Sequence, residues 1–204
     1  MTQQKHKKFI VLASASPRRR EILAGMGATF EVMSTDADEQ SNIKDPAMLT
    51  MELARRKAEA ALEQLIKQGR AEGAIVIAAD TVVACNGEVL GKPSDVNDAR
   101  RMLKMLSGNT HTVATGIAVA VDGKIATDCS VTSVKVDEIP QEEIEKYIRS
   151  GEPFDKAGAY GIQGGFSKWV RGIDGCYFGV VGLSSNVLAR LFREQVGCYP
   201  DEIK

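Results

Sequence analysis

The sequence predicts an α/β fold built around a mixed β-sheet. The first observation is the continuous apolar run at 74–79, which is typical of a central strand covered on both faces. The second is the pair of long alternating segments Thr110–Val121 and Lys124–Val136, which Asp122-Gly123 joins as a hairpin. The third is that helical patterns occur between strands along the whole chain, which favours one sheet shared by strands and helices.

The individual elements follow from local signals taken in chain order. Ser16-Pro17 predicts a helix start with Ser16 as the N-cap, and Asp45-Pro46 predicts the start of a longer helix with an apolar stripe. Asn86-Gly87 predicts a further hairpin, and Ser94 is the expected N-cap of the next helix. The remaining predicted elements are strands at 9–13, 29–34 and 177–183, a helix from 17 that ends near Gly25 or Gly27, and helices at 94–106, 140–148 and 185–196.

Length, charge and cysteine content limit the class of protein. The 204 residues are predicted to form a single domain, 1–204, with a polar extension at 1–8. The 26 basic and 27 acidic side chains leave a formal net charge of −1, which disfavours nucleic-acid and membrane-surface binding because both need a basic excess. No run approaches the roughly 20 apolar residues of a membrane span. The four cysteines form no Cys-x-x-Cys pair, and a cytoplasmic protein with reduced thiols is expected.

A first candidate site lies where the strand at 9–13 runs into a helix N-terminus. Beside the backbone N–H groups of this helix start, the sequence has two hydroxyls and three guanidinium groups. They belong to Ser14, Ser16 and the run Arg18-Arg19-Arg20. Helix N-termini attract anions, and the planar arginine fork matches pairs of phosphate oxygens. The pattern favours a phosphate site, and the alternative is an ordinary capped helix with solvated arginines.

Two acidic segments are candidates for proton transfer or cation binding. Asp80, followed by Thr81, is expected to end the buried strand, at a position where α/β folds bind their ligands. Its carboxylate could take a proton from water or hold Mg²⁺. One acid of the cluster Asp36-Ala37-Asp38-Glu39 would complete a site, because a hard cation uses one or two protein carboxylates plus phosphate oxygens. The alternatives are an acid in a turn and a solvated acidic loop.

Lysines and a glycine-rich segment complete the candidate set. Lys57 lies on the long predicted helix, Lys92 lies in Gly91-Lys92-Pro93, and Lys156 precedes the glycine-rich segment 158–165. Several cations converging on one cleft would suit a triphosphate. Gln163 carries donors and an acceptor that could read a base edge. The alternatives are solvated lysines and an ordinary glycine-rich turn.

The motifs also have a specific order along the chain. They are Leu-Ala-Ser-Ala-Ser-Pro-Arg-Arg at 12–19, Asp-Glu at 38–39, Ala-Arg-Arg-Lys-Ala at 54–58, Ala-Asp-Thr-Val-Val at 79–83, Gly-Lys-Pro at 91–93, Leu-Ser-Gly at 106–108, Lys-Ala-Gly-Ala-Tyr-Gly-Ile-Gln-Gly at 156–164 and Val-Gly-Leu at 181–183. This order resembles the Maf (septum-formation protein) family of nucleoside triphosphate pyrophosphatases over about 9–191. One departure is Ser184, where the family often has a proline, and a serine can itself cap a helix.

The resemblance implies a fold and a reaction. The fold is related to that of the inosine triphosphate pyrophosphatases, with an elongated mixed β-sheet, helices on both sides and a central cleft, commonly as a homodimer. The reaction is Mg²⁺- or Mn²⁺-dependent hydrolysis of a nucleoside triphosphate to the monophosphate and pyrophosphate. The alternative is a nucleotide-binding regulator of cell division or septum formation with little turnover.

The resemblance also implies roles for individual residues. Asp80 matches the proton acceptor and, with Glu39, is a candidate ligand of the divalent ion. Arg18, Thr81 and Gln163 match positions linked to base choice, in the combination found in the branch that acts on dTTP and UTP. The other polar positions of the substrate pocket are matched by Ser14, Arg19, Lys57, Lys92 and Lys156.

Overall fold

The computed structural model describes residues 7–204, so most of the predicted extension at 1–8 lies outside the described residues. This part of the chain contains seven strands, β1 (Phe9–Leu12), β2 (Phe30–Val32), β3 (Ala74–Cys85), β4 (Glu88–Leu90), β5 (Thr110–Val121), β6 (Lys124–Val136) and β7 (Val170–Asp174). Its α-helices are α1 (Pro17–Gly25), α2 (Pro46–Lys67), α3 (Val96–Leu106), α4 (Gln141–Arg149), α5 (Tyr177–Val181) and α6 (Ser185–Val196). Short 3-10 turns occur at Glu152–Asp155, Ala157–Ala159, Gly165–Trp169 and Pro200–Glu202.

The strands form one mixed sheet in the order β2-β1-β3-β5-β6-β7, and β4 also pairs with β3. β1 runs parallel to both β2 and β3, whereas β3, β5, β6 and β7 alternate in direction. β1 accompanies β3 only as far as Ile77, and β4 joins β3 only from Val83. Within the described residues, the stretch of β3 between these two partners therefore has an unpaired edge.

Helices pack on both faces of the sheet. On one face the alanines of α2, among them Ala54 and Ala58, pack against small strand residues such as Ala78 and Ala118. On the opposite face α6 packs on a second apolar cluster that includes Phe192. A third cluster is built around α3 and α4 and contains four buried aromatic side chains, Tyr147, Tyr160, Phe166 and Trp169. The predicted α/β class with a mixed, helix-covered sheet is confirmed.

Both hairpins and the longest helix form where the sequence predicts them. Asn86 and Asp122 adopt left-handed φ angles of 51° and 50°, and each is followed by a glycine of positive φ, as the favoured two-residue turns require. The Asp45 carboxylate accepts a hydrogen bond from the backbone N–H of Met48 at 2.8 Å and so caps α2. Ser184 caps α6 in the same way through the N–H of Val187.

Three local predictions are wrong, and one strand was not predicted at all. The segment 177–183 is the short helix α5 rather than a strand, because a short apolar run fits either state and Gly182, with φ of 132°, ends the helix. β7 has no counterpart among the predicted elements. Asp95 rather than Ser94 occupies the N-cap of α3, with its carboxylate accepting from the N–H of Asp98. Finally, the central strand does not end at Asp80, because antiparallel pairing with β5 carries it to Cys85.

Candidate active site

A cleft of about 890 Å³ opens beside the unpaired edge of β3. Because β1 has ended and β4 has not begun, Asp80 and Thr81 lie where loops from other parts of the chain can approach. Every residue predicted for the site lines this cleft, namely Ser14, Arg18, Arg19, Glu39, Lys57, Asp80, Thr81, Lys92, Lys156 and Gln163. Of the acidic cluster at 36–39, Glu39 alone lines the cleft, and the Asp38 carboxylate instead accepts from the backbone N–H of Gln40.

Lys57 links the two candidate metal-binding carboxylates. Its Nζ donates to Asp80 Oδ1 at 2.5 Å and lies 2.8 Å from Glu39 Oε1. The Asp80 and Lys57 side chains are only 11% and 14% exposed, whereas that of Glu39 is 63% exposed. The hydrogen bond from Lys57 lowers the pKa of Glu39, and the charges of Lys57, Lys92 and Arg19 lower it further. The cleft therefore holds Glu39 ionised against the cost of its partial burial.

The same arrangement allows a test of whether a divalent ion fits. Among residues 7–204 there is no group of three or more His, Cys, Asp and Glu side chains arranged for a metal. Asp80 and Glu39 do converge on one cation, the ammonium group of Lys57, so their oxygens already surround a positive charge. Two carboxylates suit a hard ion such as Mg²⁺ or Mn²⁺ that takes its other ligands from water and phosphate. The donor set fits.

Arg19 is the most constrained cation of the site. Its Nε donates to the carbonyl of Gly182 at 2.9 Å, and its terminal nitrogens donate to Ser14 Oγ and Thr81 Oγ1, both at 3.3 Å. Burial lowers the pKa of this guanidinium, and the nearby charge of Asp80 opposes that effect. Arg19 is thus held at a fixed place in the cleft by the residue that follows α5, by Ser14 before α1 and by Thr81 of β3.

Thr81 and Thr115 form a hydrogen-bond chain with one direction. The Thr115 hydroxyl donates to the carbonyl of Gly179 at 2.8 Å, so it accepts from Thr81 Oγ1, which lies 2.9 Å away. Thr81 in turn accepts from Arg19. Sequence reasoning did not find Thr115, a fully buried residue of β5, because threonine is a common strand residue and carries no site signal by itself.

Arg18 and Lys156 share an acidic partner. Arg18 donates to Asp155 Oδ2 at 3.3 Å, and Lys156 Nζ donates to Asp155 Oδ1 at 2.5 Å. Asp155, which is 65% exposed, therefore joins α1 to the turn at Glu152–Asp155 across the cleft. A phosphate group entering the cleft would compete with this carboxylate for both cations.

The glycine-rich segment presents Gln163 to the cleft. Gln163 is exposed, and within residues 7–204 its amide makes no hydrogen bond. The neighbouring glycines make room for protein side chains, since a Cβ on Gly164 would lie 1.8 Å from Glu152 Oε1 and one on Gly161 would lie 2.8 Å from Lys156 Cε. Glu152 is a further lining residue that sequence reasoning missed, because an acid before a proline is typical of solvated turns.

The remaining predicted cation, Lys92, projects from the exposed loop between β4 and α3. The cleft thus combines basic side chains from α1, α2 and two loops with four carboxylates, those of Glu39, Asp80, Glu152 and Asp155, and an amide. An α/β protein with such a cleft belongs to the class that binds phosphorylated small molecules.

Comparison with known proteins places the chain more narrowly. The family described as Maf-like protein matches residues 9–195, and the chain belongs to the Maf family. It is 46% identical over 197 residues to a dTTP/UTP pyrophosphatase of Agathobacter rectalis, covering 91% of this chain and 95% of that protein. It is 47% identical over 183 residues to a dTTP/UTP pyrophosphatase of Thermococcus kodakarensis, covering 90% and 95%.

Among solved structures, the chain is similar to the Ham1 protein of Staphylococcus aureus, with a TM-score of 0.46 and 18% identity over 63% of this chain and 72% of that one. Within residues 7–204, no helix has the length and apolar character needed to cross a bilayer.

Proposed function

We propose that this chain hydrolyses dTTP and UTP to the nucleoside monophosphate and pyrophosphate. The observation that carries the proposal is the convergence of Asp80, Glu39 and a set of cations on one cleft of a Maf-family chain. The relatives described above support the choice of substrate, because both are named dTTP/UTP pyrophosphatase and cover nine-tenths of this chain or more.

The proposed chemistry is attack of water on the α-phosphorus. Asp80 accepts a proton from this water, the new oxygen–phosphorus bond forms, and the bond between the α-phosphorus and the bridging oxygen breaks. Pyrophosphate leaves with the electron pair of that bond. A carboxylate suits this role because it can accept a proton at neutral pH when it lies within hydrogen-bond reach of the water.

A divalent ion, Mg²⁺ or Mn²⁺, would be held by Asp80 and Glu39. When bound, such an ion spreads negative charge from the phosphate oxygens and helps to orient the triphosphate. Lys57 already contacts both carboxylates, and its ammonium group balances their charge as the anionic substrate approaches.

The cations of the cleft are proposed to hold the triphosphate. Arg19, Lys92 and Lys156 neutralise the phosphate oxygens, where charge develops on the leaving pyrophosphate. Arg19 is fixed by its bonds to Ser14 and Gly182 and therefore needs no reorganisation when substrate binds. Preorganised charges of this kind favour the transition state more than flexible ones.

Base choice is proposed to depend on Gln163 and Arg18. The amide of Gln163 can accept from N3–H and donate to a carbonyl of thymine or uracil. Arg18, held by Asp155, lies close enough to the cleft to bond a second carbonyl or close the pocket. Thr81 acts through its hydrogen bond to Arg19, which fixes the guanidinium beside the base and phosphate sites.

The test uses purified chain with Mg²⁺ or Mn²⁺ and a panel of common triphosphates in ¹⁸O-labelled water. We expect turnover of dTTP and UTP, pyrophosphate as the product, and the label in the monophosphate. Label in pyrophosphate would place the attack on the β-phosphorus and contradict the mechanism. Equal turnover of all triphosphates would contradict the specificity, and tight binding without turnover would favour the alternative, a nucleotide-binding regulator of cell division.

We further propose a homodimer in the cytoplasm. Within the described residues, the stretch 124–132 of β6 has no strand partner on the side away from β5, and Val131 on this stretch is 55% exposed. Such an edge pairs readily with a second copy. Light scattering should give twice the chain mass, and Val131→Lys should give a monomer, whereas a wild-type monomer would contradict the dimer.

The proposed cytoplasmic location has a separate support. The four cysteines form no disulfide, and free thiols suit a reducing compartment.

A further inference from the structure

The segment 161–165, which carries Gln163 at its centre, is held at both ends by one carboxylate. Glu152 Oε2 accepts from the backbone N–H of Gly165 at 3.0 Å. Glu152 Oε1 accepts from the hydroxyl of Tyr147 at 2.8 Å, and that hydroxyl accepts from the backbone N–H of Gly161 at 3.3 Å. The two ends of the segment are therefore tied to Glu152, one directly and one through Tyr147.

The support behind this carboxylate is rigid. Tyr147 is 5% exposed and packs against Phe166 and Trp169 with ring centroids 5.9 Å and 6.1 Å away. Burial and the bond to Glu152 raise the pKa of Tyr147, so its hydroxyl stays protonated and continues to donate. Gly164 lies directly against the carboxylate, because any Cβ there would overlap Glu152 Oε1. The backbone on both sides of Gln163 thus has little freedom.

Glu152 has no evident use in binding phosphate. No basic side chain among residues 7–204 forms a salt bridge with its carboxylate, and Lys156 Nζ donates instead to its backbone carbonyl at 2.7 Å. A negative charge that lines a cleft for a polyanion opposes binding by simple Coulomb repulsion. Glu152 must therefore act through the groups that donate hydrogen bonds to it. These are the Tyr147 hydroxyl and the backbone N–H of Gly165, in the segment around Gln163.

We propose that Glu152 is a positioning residue that sets nucleobase specificity by holding Gln163 at the base edge. This inference rests on the proposed function, because it assigns Gln163 to a nucleobase. A fixed segment keeps the amide of Gln163 at one place, where it can bond the edge of one kind of base. A released segment lets the amide move away and admits other bases, so discrimination is lost before the chemical step is affected.

The test compares Glu152→Gln and Tyr147→Phe with wild type by measuring kcat/KM for UTP, CTP and GTP. Glu152→Gln replaces one of the two acceptor oxygens with an amide nitrogen, and Tyr147→Phe removes the bridging hydroxyl. Both variants nearly keep the size of the side chain. We expect the preference for UTP over both other bases to fall about tenfold, which is the effect of about 1.4 kcal/mol. The KM for UTP should change more than kcat. The matched control is Glu142→Gln, an exposed glutamate of α4 with the same change in charge, which should keep the wild-type preference.

A double-mutant cycle separates positioning from general destabilisation. In a Gln163→Ala background, Glu152→Gln should cause no further loss of preference, because Glu152 acts through Gln163. An independent second loss, or wild-type preference in both Glu152→Gln and Tyr147→Phe, would overturn the inference. If wild type itself shows no preference for UTP, the proposed function fails instead. If Glu152→Gln does not fold, the preference of Tyr147→Phe for UTP alone tests the inference, since that variant leaves the Glu152 carboxylate in place.

Discussion

At the scale of single residues, Asp80 combines burial with a direct ion pair to Lys57. Its carboxylate lies 2.5 Å from Lys57 Nζ in the part of β3 that lacks an edge partner. Asp80→Asn keeps the shape of the side chain and removes the proton acceptor. We expect kcat for dTTP to fall about 100- to 10,000-fold, the usual contribution of a general base. Steady-state release of pyrophosphate measures this change.

The control for this prediction is Asp174→Asn at the exposed end of β7, which lies outside the cleft. It makes the same chemical change and should leave turnover at the wild-type rate. Thermal unfolding of both variants shows whether loss of the Lys57–Asp80 ion pair alone has disturbed the fold. Near wild-type turnover by folded Asp80→Asn would show that another group accepts the proton.

Gln163 supports a second prediction at this scale. Gln163→Glu replaces an amide that both donates and accepts by a carboxylate that only accepts, so a carbonyl of thymine or uracil loses its donor and meets a negative charge. We expect kcat/KM for dTTP and UTP to fall roughly 10- to 100-fold. Affinity for Mn²⁺, measured by electron paramagnetic resonance, should change far less. Loss of Mn²⁺ affinity to the same extent would instead assign Gln163 to the metal site.

At the scale of elements, Gly116 decides how closely α2 approaches the sheet. It pairs with Asp80 across β3 and β5, and a Cβ at this position would lie 2.2 Å from the backbone carbon of Thr50. The backbone of α2 therefore packs directly on β5, which brings Lys57, two turns further along the same helix, to Asp80. The glycine links the packing of a helix to the geometry of the site.

Gly116→Ala should therefore affect stability and activity together. The methyl group would push α2 outward, and we expect a loss of about 1–3 kcal/mol in the free energy of unfolding, as overpacking usually costs. kcat/KM for dTTP should also fall, because Lys57 moves with the helix. Gly172→Ala in β7, where no atom lies within 4 Å of an added Cβ, is the matched control. Urea unfolding that gave equal stabilities for the two variants would contradict this packing argument.

Local signals predicted most elements, and contacts between distant segments explain the exceptions. The hairpins at Asn86-Gly87 and Asp122-Gly123 form as predicted because their residues tolerate the required positive φ. β3 passes beyond Asp80 because pairing with β5 outweighs the weak strand preference of aspartate. The residues that line the cleft could be predicted from their motifs and from the order of those motifs along the chain, and their roles in the site stay predictions. Glu152 and Thr115 could not be predicted, because their roles depend on partners 13 and 34 residues away.

At the scale of the whole molecule, the cleft lies where separate apolar cores meet. β3 contributes Ile77 to the core beneath α6 and Val83 to the core around α3 and α4, and Asp80 lies between these two residues. β5 crosses the same two cores and pairs with β3 along this length. The position of the Asp80 carboxylate therefore depends on both cores.

His111 on β5 makes the stability of the described fold depend on pH. It is 2% exposed, its Nε2 lies 2.7 Å from the hydroxyl of Tyr160, and its Nδ1 has no partner among the described residues. Burial lowers the pKa of His111 from 6.5 to about 4. The folded chain therefore keeps this imidazole neutral at pH values where the unfolded chain binds a proton.

The sign of the pH dependence follows from that difference. Above pH 6.5 neither state is protonated at His111, and between pH 6.5 and 4 only the unfolded state binds the proton. Stability should therefore fall by about 1.4 kcal/mol per pH unit across this range, or about 3 kcal/mol in total. Urea unfolding from pH 7 to pH 4 should show a shallower slope for His111→Gln, which cannot titrate, than for wild type. Equal slopes for wild type and His111→Gln would mean that carboxylates alone cause the acid loss of stability.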